Sequence, residues 1–357
     1  MKKVFLTIFM ICCLFITGCF GNNSNDALKD IKKKYNNLKA YELTGDLEIV
    51  NNDDVYNYDV KVIYQKKDKY NVSLKNRSNN HEQIILKNED AVYVLTPSLN
   101  KSFKFQSDWP YNNSQVYLIQ SIIDDILNDE ERNLVSDDNG YVFTTAVNYP
   151  NNRKLVKQNV TFDKNLNLKK VSVVDENDIP QMTMTFLTID TSPTINNDSF
   201  DINKIMGTSE NNNQTTQTPT ESPSPSPNTS STPTPDQNNN QPTSTLEDII
   251  YPLYIPTGTV LASEEKISKT DGERVIMTFE GEKPFLLVEE TTSIEEEFSI
   301  IPTYGEPYLL IDTVGALTNN SVSWTSNGID YYLVSEVMSK DELLDIARSV
   351  NVIPTMK

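Results

Sequence analysis

Residues 56–65 read Tyr-Asn-Tyr-Asp-Val-Lys-Val-Ile-Tyr-Gln, and their alternation of apolar and polar side chains decides the fold class. Successive side chains of a strand point to opposite sides, so alternate residues share one face. On the apolar face lie Tyr56, Tyr58, Val60, Val62 and Tyr64. The pattern predicts an antiparallel sheet that buries one face and exposes the other to water.

Shorter alternating stretches extend this sheet along the chain. Strands are predicted at residues 70–74, 84–86, 92–94, 103–105, 141–143 and 160–162. A hairpin follows, with one strand over residues 168–174, a turn over 175–180 and a returning strand that places Met182, Met184 and Phe186 on one face. The sequence therefore predicts an antiparallel meander.

Two amphipathic helices accompany the meander. The first has a stripe of apolar residues at helical spacing and many lysines on its other sides; the stripe is Leu28, Ile31, Tyr35 and Leu38. The second carries the stripe Ile119, Ile122, Ile123, Ile126 and Leu127, which is wide enough to cover part of a sheet. The sheet must curl around something apolar, either these helices or a ligand.

Residues 207–245 consist mainly of Asn, Gln, Thr, Ser and Pro, and include seven of the 18 prolines. Such a tract lacks the apolar side chains that form a core, so we predict a disordered linker between two domains. Residues 246–357 beyond it are predicted to form a small α+β domain. Its strands lie at residues 275–279, 285–288 and 329–334, and its terminal helix begins with a capping box formed by Ser339 and Glu342.

The amino terminus carries a targeting sequence. Lys2 and Lys3 precede an apolar run over residues 4–16, which ends in Ile-Thr-Gly-Cys at residues 16–19. This resembles a bacterial lipoprotein signal, and the resemblance implies cleavage between Gly18 and Cys19 and acylation of Cys19 with palmitate-type chains. Residues 1–18 are then the signal peptide and 19–25 a lipidated tether. The alternatives are an ordinary secretory signal near a cysteine and an uncleaved membrane anchor.

Composition excludes several functions. The formal net charge of −19 opposes binding to nucleic acid. The chain has three cysteines, Cys12, Cys13 and Cys19, and the first two lie within the predicted signal peptide, so no disulfide is expected. A single histidine, His81, in a polar turn favours neither a hydrolytic triad nor a zinc site. We expect no enzymatic activity, no metal and no cofactor, although carboxylates brought together by folding are not visible in a sequence.

Eight apolar residues on the predicted strands are the candidates for a ligand-binding groove. They are Tyr58, Val60, Val62, Tyr64, Tyr93, Phe103, Phe105 and Trp109. The alternative is that they form a plain hydrophobic core, which is the commoner use of such residues. Trp324 in the second domain is expected to lie in its core.

With these elements in place, residues 26–206 resemble the LolA/LolB-like lipoprotein-carrier superfamily, and in particular its lipid-anchored branch of GerS-type germination lipoproteins. The resembling segments are residues 27–50, 86–97 and 179–200. The resemblance implies a strongly curved, half-open antiparallel sheet, a half-barrel, whose concave apolar side is covered by helices. In the carriers this groove holds acyl chains, and in other relatives it binds partners.

Residues 251–350 resemble a domain of unknown function found in envelope and sporulation proteins of Firmicutes. The segments concerned are residues 252–258, Trp324, Gly328, residues 331–333 and residues 339–349. No activity is implied.

The sequence leads to a main hypothesis and a rival. The main hypothesis is a non-enzymatic lipoprotein, anchored on the extracytoplasmic face of the cell membrane, that binds a hydrophobic ligand or an envelope protein through its LolA-like domain. The rival is a regulator or scaffold in sporulation or germination that binds proteins and carries no lipid. An envelope hydrolase is a third, weaker alternative that requires carboxylates clustered in a cleft.

Overall fold

The computed structural model describes residues 23–51, 54–213, 246, 248–270, 272–295 and 297–350. Contacts divide the chain into two compact units: unit 1 comprises Met1–Lys66 and Pro110–Pro193, and unit 2 comprises Lys67–Trp109 and Thr194–Lys357. The predicted signal peptide, with Gly18 and Cys19, lies outside the described residues, as does most of the predicted linker. Across the described part of the chain, no helix has both the length and the apolar character needed to cross a membrane.

The described helices and strands follow one another in this order: α1 Asn23–Tyr35, β1 Ala40–Asn51, β2 Asp54–Gln65, β3 Lys69–Asn76, β4 Glu82–Lys87, β5 Val92–Thr96, β6 Lys101–Phe105, α2 Ile119–Asn128, β7 Asn133–Ser136, β8 Gly140–Ala146, β9 Lys157–Asp163, β10 Leu168–Val174, β11 Pro180–Asp190, α3 Ile202–Asn213, β12 Thr259–Ser268, β13 Glu273–Gly281, β14 Phe285–Thr291, β15 Ser299–Thr303, β16 Glu306–Leu309, β17 Val314–Leu317, β18 Ser321–Ser326, β19 Ile329–Val334 and α4 Lys340–Ser349. Strands predominate, and the predicted α+β class is confirmed.

Unit 1 is built on an open antiparallel sheet in the order β2-β1-β11-β10-β9-β8-β7. The predicted β10–β11 hairpin is confirmed, and Met184 and Phe186 are buried on the same face of β11. At Gly45 the pairing of β1 with β11 shifts register. A Cβ atom there would lie 2.4 Å from the carbonyl oxygen of Thr185, so the close approach of the two strands requires glycine.

Helix α2 covers the apolar face of this sheet. Four of the five residues of its predicted stripe, Ile119, Ile122, Ile123 and Ile126, are buried, and the fifth, Leu127, is partly exposed. The helix is also held by polar contacts, because the Tyr41 hydroxyl of β1 donates to Gln120 Oε1 at 2.9 Å and Gln158 Nε2 of β9 donates to Asp125 Oδ2 at 2.8 Å. The sheet therefore packs against the protein's own helix.

Helix α1 packs beside α2 and ends earlier than its apolar stripe predicted. The buried residues are Ala27, Ile31 and Tyr35, whereas Leu28 and Leu38 are partly exposed. The Tyr35 hydroxyl donates to the Leu166 carbonyl at 2.8 Å and accepts from the Leu168 N–H at 3.0 Å. This aromatic residue thus fixes α1 to the β9–β10 turn.

Unit 2 contains two groups of strands. One runs β15-β6-β5-β4-β3, and the other runs β12-β13-β14-β19-β18-β17-β16. The core of the second group lies beneath α4 and includes two stacked aromatic pairs, Phe279 with Phe285 and Trp324 with Tyr331. Trp324 is buried, as predicted, and the capping box of Ser339 and Glu342 is present at the start of α4.

A parallel pairing joins the two strand groups of unit 2. Strand β15 pairs with β6, from Ser299 opposite Lys101 to Thr303 opposite Phe105. The buried side chain of Gln83 on β4 adds to this junction, because its Oε1 accepts from the Val314 N–H at 2.6 Å and from the Thr313 hydroxyl at 3.0 Å. Parts of the chain on both sides of the predicted linker are therefore joined within one unit, a pairing that the sequence pattern did not predict.

Candidate binding surfaces

Four of the eight predicted groove residues lie together on the inner face of β2. Tyr58, Val60, Val62 and Tyr64 are all buried, with exposed fractions of 3%, 3%, 0% and 7%. Tyr64 stacks on Tyr41 with a ring-centroid distance of 5.1 Å. Burial raises the pKa of the Tyr41 hydroxyl, which reflects how completely this layer is removed from water. The structure thus brings these four residues together as packed core.

The other four predicted groove residues belong to unit 2 and do not share one face. Tyr93 pairs with Lys104 across β5 and β6, and the Lys104 ammonium lies 5.6 Å from the centre of the Tyr93 ring. Phe103 and Phe105 point to the other face of β6, since side chains alternate along a strand. Trp109 follows the strand and packs edge-to-face on Tyr70 at 5.7 Å. Of these four, Phe103 is partly exposed and the others are buried.

Unit 1 has a cleft of about 470 Å³ between its two helices, at a place where sequence reasoning predicted no site. Its lining is largely polar and is formed by Leu28, Lys29, Lys32, Asn36, Asp124, Leu127 and Asn128. The two leucines belong to the predicted apolar stripes but remain partly exposed. Burial raises the pKa of the Asp124 carboxyl. The cleft lacks the apolar lining that an acyl chain requires.

The single histidine is more enclosed than its polar turn predicted. His81 is half-buried, its Nδ1 lies 3.4 Å from the Ser98 hydroxyl, and its Nε2 is buried without a hydrogen-bond partner. Burial lowers the pKa of its imidazole, and the charge of Asp312 acts in the opposite direction. The 3.4 Å separation is too long for an activated nucleophile, for which about 2.6–3.2 Å is usual.

Two carboxylates removed partly or fully from water, the half-buried Asp125 and the buried Glu289, were not predicted from the sequence. Burial raises the pKa of Asp125 to about 6 and that of Glu289 to about 7. Each carboxylate has a structural role, because Asp125 accepts from Gln158 and Glu289 accepts from the Ile250 N–H with both oxygens at 3.2 Å. Within the described residues, no group of three or more His, Cys, Asp or Glu side chains is placed to hold a metal ion.

Among the described residues, six exposed large apolar side chains fall within residues 251–261, at the start of the second strand group of unit 2. We call five of them the apolar strip: Tyr251, Leu253, Tyr254, Ile255 and Leu261; the sixth, Val260, points to the opposite face of β12 because it neighbours Leu261 in the strand. The strip leads into β12, where eight of ten residues are exposed. Sequence reasoning predicted neither this strand nor its exposure, because the segment has no apolar alternation.

The fold and these surfaces define an α+β protein of packed antiparallel sheets with an exposed strand edge. The sporulation protein YdcC of Bacillus subtilis is 34% identical to this chain over 356 residues, which cover 98% of both chains. The chain belongs to the YdcC family. No family model matches the sequence.

Similar solved structures have much lower sequence identity. The MucA/MucB complex of Pseudomonas aeruginosa is 13% identical, with 91% of this chain and 98% of that chain covered and a TM-score of 0.31. The CwlD amidase of Clostridioides difficile in complex with the GerS lipoprotein is 19% identical, with coverages of 49% and 100% and a TM-score of 0.30. An outer-membrane lipoprotein-sorting domain from Vibrio parahaemolyticus is 11% identical, with coverages of 51% and 97% and a TM-score of 0.32.

Proposed function

We propose that this protein is a sporulation lipoprotein, anchored on the extracytoplasmic face of the cell membrane, that acts by binding another protein and carries no lipid cargo. The observation that carries the proposal is that the protein's own side chains fill the apolar sheet face of unit 1. The relationship to a sporulation protein supports the cellular process. The lipoprotein-like signal at residues 1–19 supports the location.

The packing energy argues against a lipid carrier. A bound acyl chain must displace α2 or the four buried side chains of β2, which are Tyr58, Val60, Val62 and Tyr64. Exposing four such side chains costs about 1.5–3 kcal/mol each, or roughly 6–12 kcal/mol together. That is comparable with the whole free energy of unfolding of a typical domain, about 5–15 kcal/mol. Binding to an outer surface requires no such opening.

The chemistry of the described residues also favours a binding role over catalysis. Asp125 and Glu289 have the raised pKa values typical of general acids, but both are occupied as hydrogen-bond acceptors from other parts of the chain. Asp125 belongs to unit 1 and Glu289 to unit 2. Neither provides the pair of carboxylates around a cleft that glycoside hydrolysis requires.

Native mass spectrometry of the full lipoprotein tests whether it carries lipid. We expect the mass of the acylated chain without a further, noncovalently bound lipid. In parallel, crosslinking in sporulating cells should capture a protein partner, and the same partner should bind after extraction of lipids. A stoichiometric lipid that copurifies with the protein would contradict the proposal and restore the hydrophobic-ligand hypothesis.

The anchor has its own test, with a matched control within the signal sequence. Metabolic labelling with an alkyne fatty acid should label the wild-type protein and the Cys13→Ala variant, because Cys13 lies in the segment that cleavage removes. The Cys19→Ala variant should lose the label entirely, since its acceptor thiol is gone. Equal labelling of the two variants would show that Cys19 is not the lipidated residue.

A further inference from the structure

Strand β12 is exposed on both of its faces. It begins at Thr259, which is buried, and all residues from Val260 to Lys266 are exposed. Because successive side chains point to opposite sides, this run leaves neither face of the strand covered. Strand β12 also ends its sheet: one side pairs with β13, and no strand among the described residues pairs with the other. The strand therefore presents a free edge of backbone hydrogen-bonding groups.

The apolar strip lies beside this edge and is held in place. Leu253 is 75% exposed, yet its N–H donates to the Ser349 carbonyl at 3.1 Å. The Tyr251 hydroxyl donates to Glu264 Oε2 of β12 at 2.5 Å. The strip is thus a fixed surface alongside β12. Seventeen large apolar side chains are exposed in the described chain, and six of them fall within residues 251–261, so the exposure is concentrated.

The charges around this edge specify what pairs with it. Glu264 and Glu265 lie on β12, Glu280 lies near the end of β13 and Glu282 directly follows that strand; all four are exposed. The nearby ammonium of Lys266 is already paired with Glu273 at 2.8 Å. A second copy of β12 would place four carboxylates, Glu264 and Glu265 of each copy, on adjacent strands, which is unfavourable because like charges on adjacent strands repel. A basic segment would instead be attracted.

We propose that the β12 edge binds an extended, basic segment of a partner protein by strand addition. The segment's backbone pairs with the free side of β12 and its alternate apolar side chains pack on the apolar strip, while its lysine or arginine side chains point to the opposite face, where Glu265 and Glu280 lie. This inference rests on the proposed function, and it names the surface and the partner chemistry.

The first experiment uses a synthetic probe and the full chain. The probe is a fluorescein-labelled peptide of alternating lysine and valine, eight residues long, whose binding is measured by fluorescence anisotropy. One control peptide has glutamate in place of lysine. A second control keeps the lysine–valine sequence but carries an N-methyl group on every backbone nitrogen, so that its side chains are unchanged and neither edge can donate hydrogen bonds to a ladder. We expect the lysine–valine peptide to bind and both controls to bind at least about tenfold more weakly.

Variants of the protein then test whether the probe binds at the β12 edge. The double variant Glu265→Lys/Glu280→Lys should lose about tenfold in affinity for the probe. The double variant Glu130→Lys/Glu176→Lys makes the same change in net charge on exposed residues of unit 1, and it should bind as the wild type does. Leu253→Ser should weaken binding through the apolar strip. Thermal unfolding of each variant confirms that the comparison is between folded proteins.

Three results would overturn the proposal. If the N-methylated peptide binds as well as the unmethylated one, strand addition is excluded. If the two charge-reversal variants lose affinity for the probe equally, the effect depends only on net charge. Self-association of the full chain in analytical ultracentrifugation that Glu265→Lys/Glu280→Lys alters and Glu130→Lys/Glu176→Lys does not would identify a second copy as the occupant. None of these results removes the proposed function, which fails instead if native mass spectrometry finds a stoichiometric lipid.

Discussion

Strands β2 and β12 are both long, and each pairs in antiparallel fashion with its neighbour in sequence, yet they meet water in opposite ways. Strand β2 buries every second side chain from Tyr58 to Tyr64, whereas β12 exposes a continuous run from Val260 to Lys266. Apolar side chains alternate along β2, but along β12 they gather at one end and charges follow. Pairing with one neighbouring strand is therefore enough to hold a segment in an extended conformation, whereas burial of one face of the strand requires that apolar and polar side chains alternate.

A matched pair of substitutions tests most strongly whether β2 is buried and β12 is exposed. Val62→Asp places a carboxylate in the fully buried layer of β2, and we expect a loss of about 3 kcal/mol or more in the free energy of unfolding. Val260→Asp makes the same change at a side chain that is 66% exposed and should cost about 0.5 kcal/mol or less. Urea unfolding followed by far-ultraviolet circular dichroism, which reports on the strands of both units, measures both. Similar losses would show that β12 is covered in solution.

Glu289 gives a pH test of the segment that leads into the apolar strip. Its folded-state pKa is raised by burial from 4.5 to about 7, so its contribution to stability is complete below pH 4.5 and is lost as the pH rises through 7. The greatest slope is about 1.4 kcal/mol per pH unit. Glu289→Gln remains able to accept from the Ile250 N–H without titrating. The melting temperature of the wild type should therefore fall relative to the variant between pH 4.5 and pH 7; parallel curves would refute this.

Substitutions at two glycines test how closely the strands beside β2 are packed, because β1 pairs with both β2 and β11. Gly45→Ala forces the new Cβ against the Thr185 carbonyl at 2.4 Å, and we expect about 1–3 kcal/mol of destabilisation. Gly207→Ala, on α3, meets no atom within 4 Å and should be neutral or slightly stabilising. Chemical denaturation distinguishes the two. A neutral Gly45→Ala would mean that β1 and β11 separate more easily than their pairing indicates.

The smallest of these effects is expected at the junction within unit 2. Gln83→Met removes an acceptor from the Val314 N–H and the Thr313 hydroxyl while keeping a side chain of similar length. The loss should be about 1–2 kcal/mol, since the Val314 N–H becomes buried without a partner. Hydrogen exchange at Val314 should accelerate in the variant. Unchanged exchange would show that the Gln83 contact does not protect this backbone.

The sequence predicted those elements whose formation depends on a local pattern of residues. Alternation located β2, β10 and β11, and the Ser339–Glu342 pair marked the start of α4. The groove was harder to predict, because apolar residues such as Tyr93 and Phe105 look alike in a sequence. Their faces differ through the register of β5 with β6. Strand β15 was missed for a similar reason: it forms by pairing with β6, about 200 residues earlier in the chain.

The sequence by itself determined the α+β class, the buried layer of β2 and the amphipathic helix α2, because their hydrophobic periodicity is a local property of the chain. The signal-like residues at the amino terminus also form a local pattern, and they predict a cellular location that lipid labelling can test. The tertiary structure alone decided that α2 fills the sheet face, that β15 pairs with β6, and that β12 keeps a free edge. These features depend on which distant segments of the chain come into contact. Such contacts are not encoded in the hydrophobic periodicity of either segment alone.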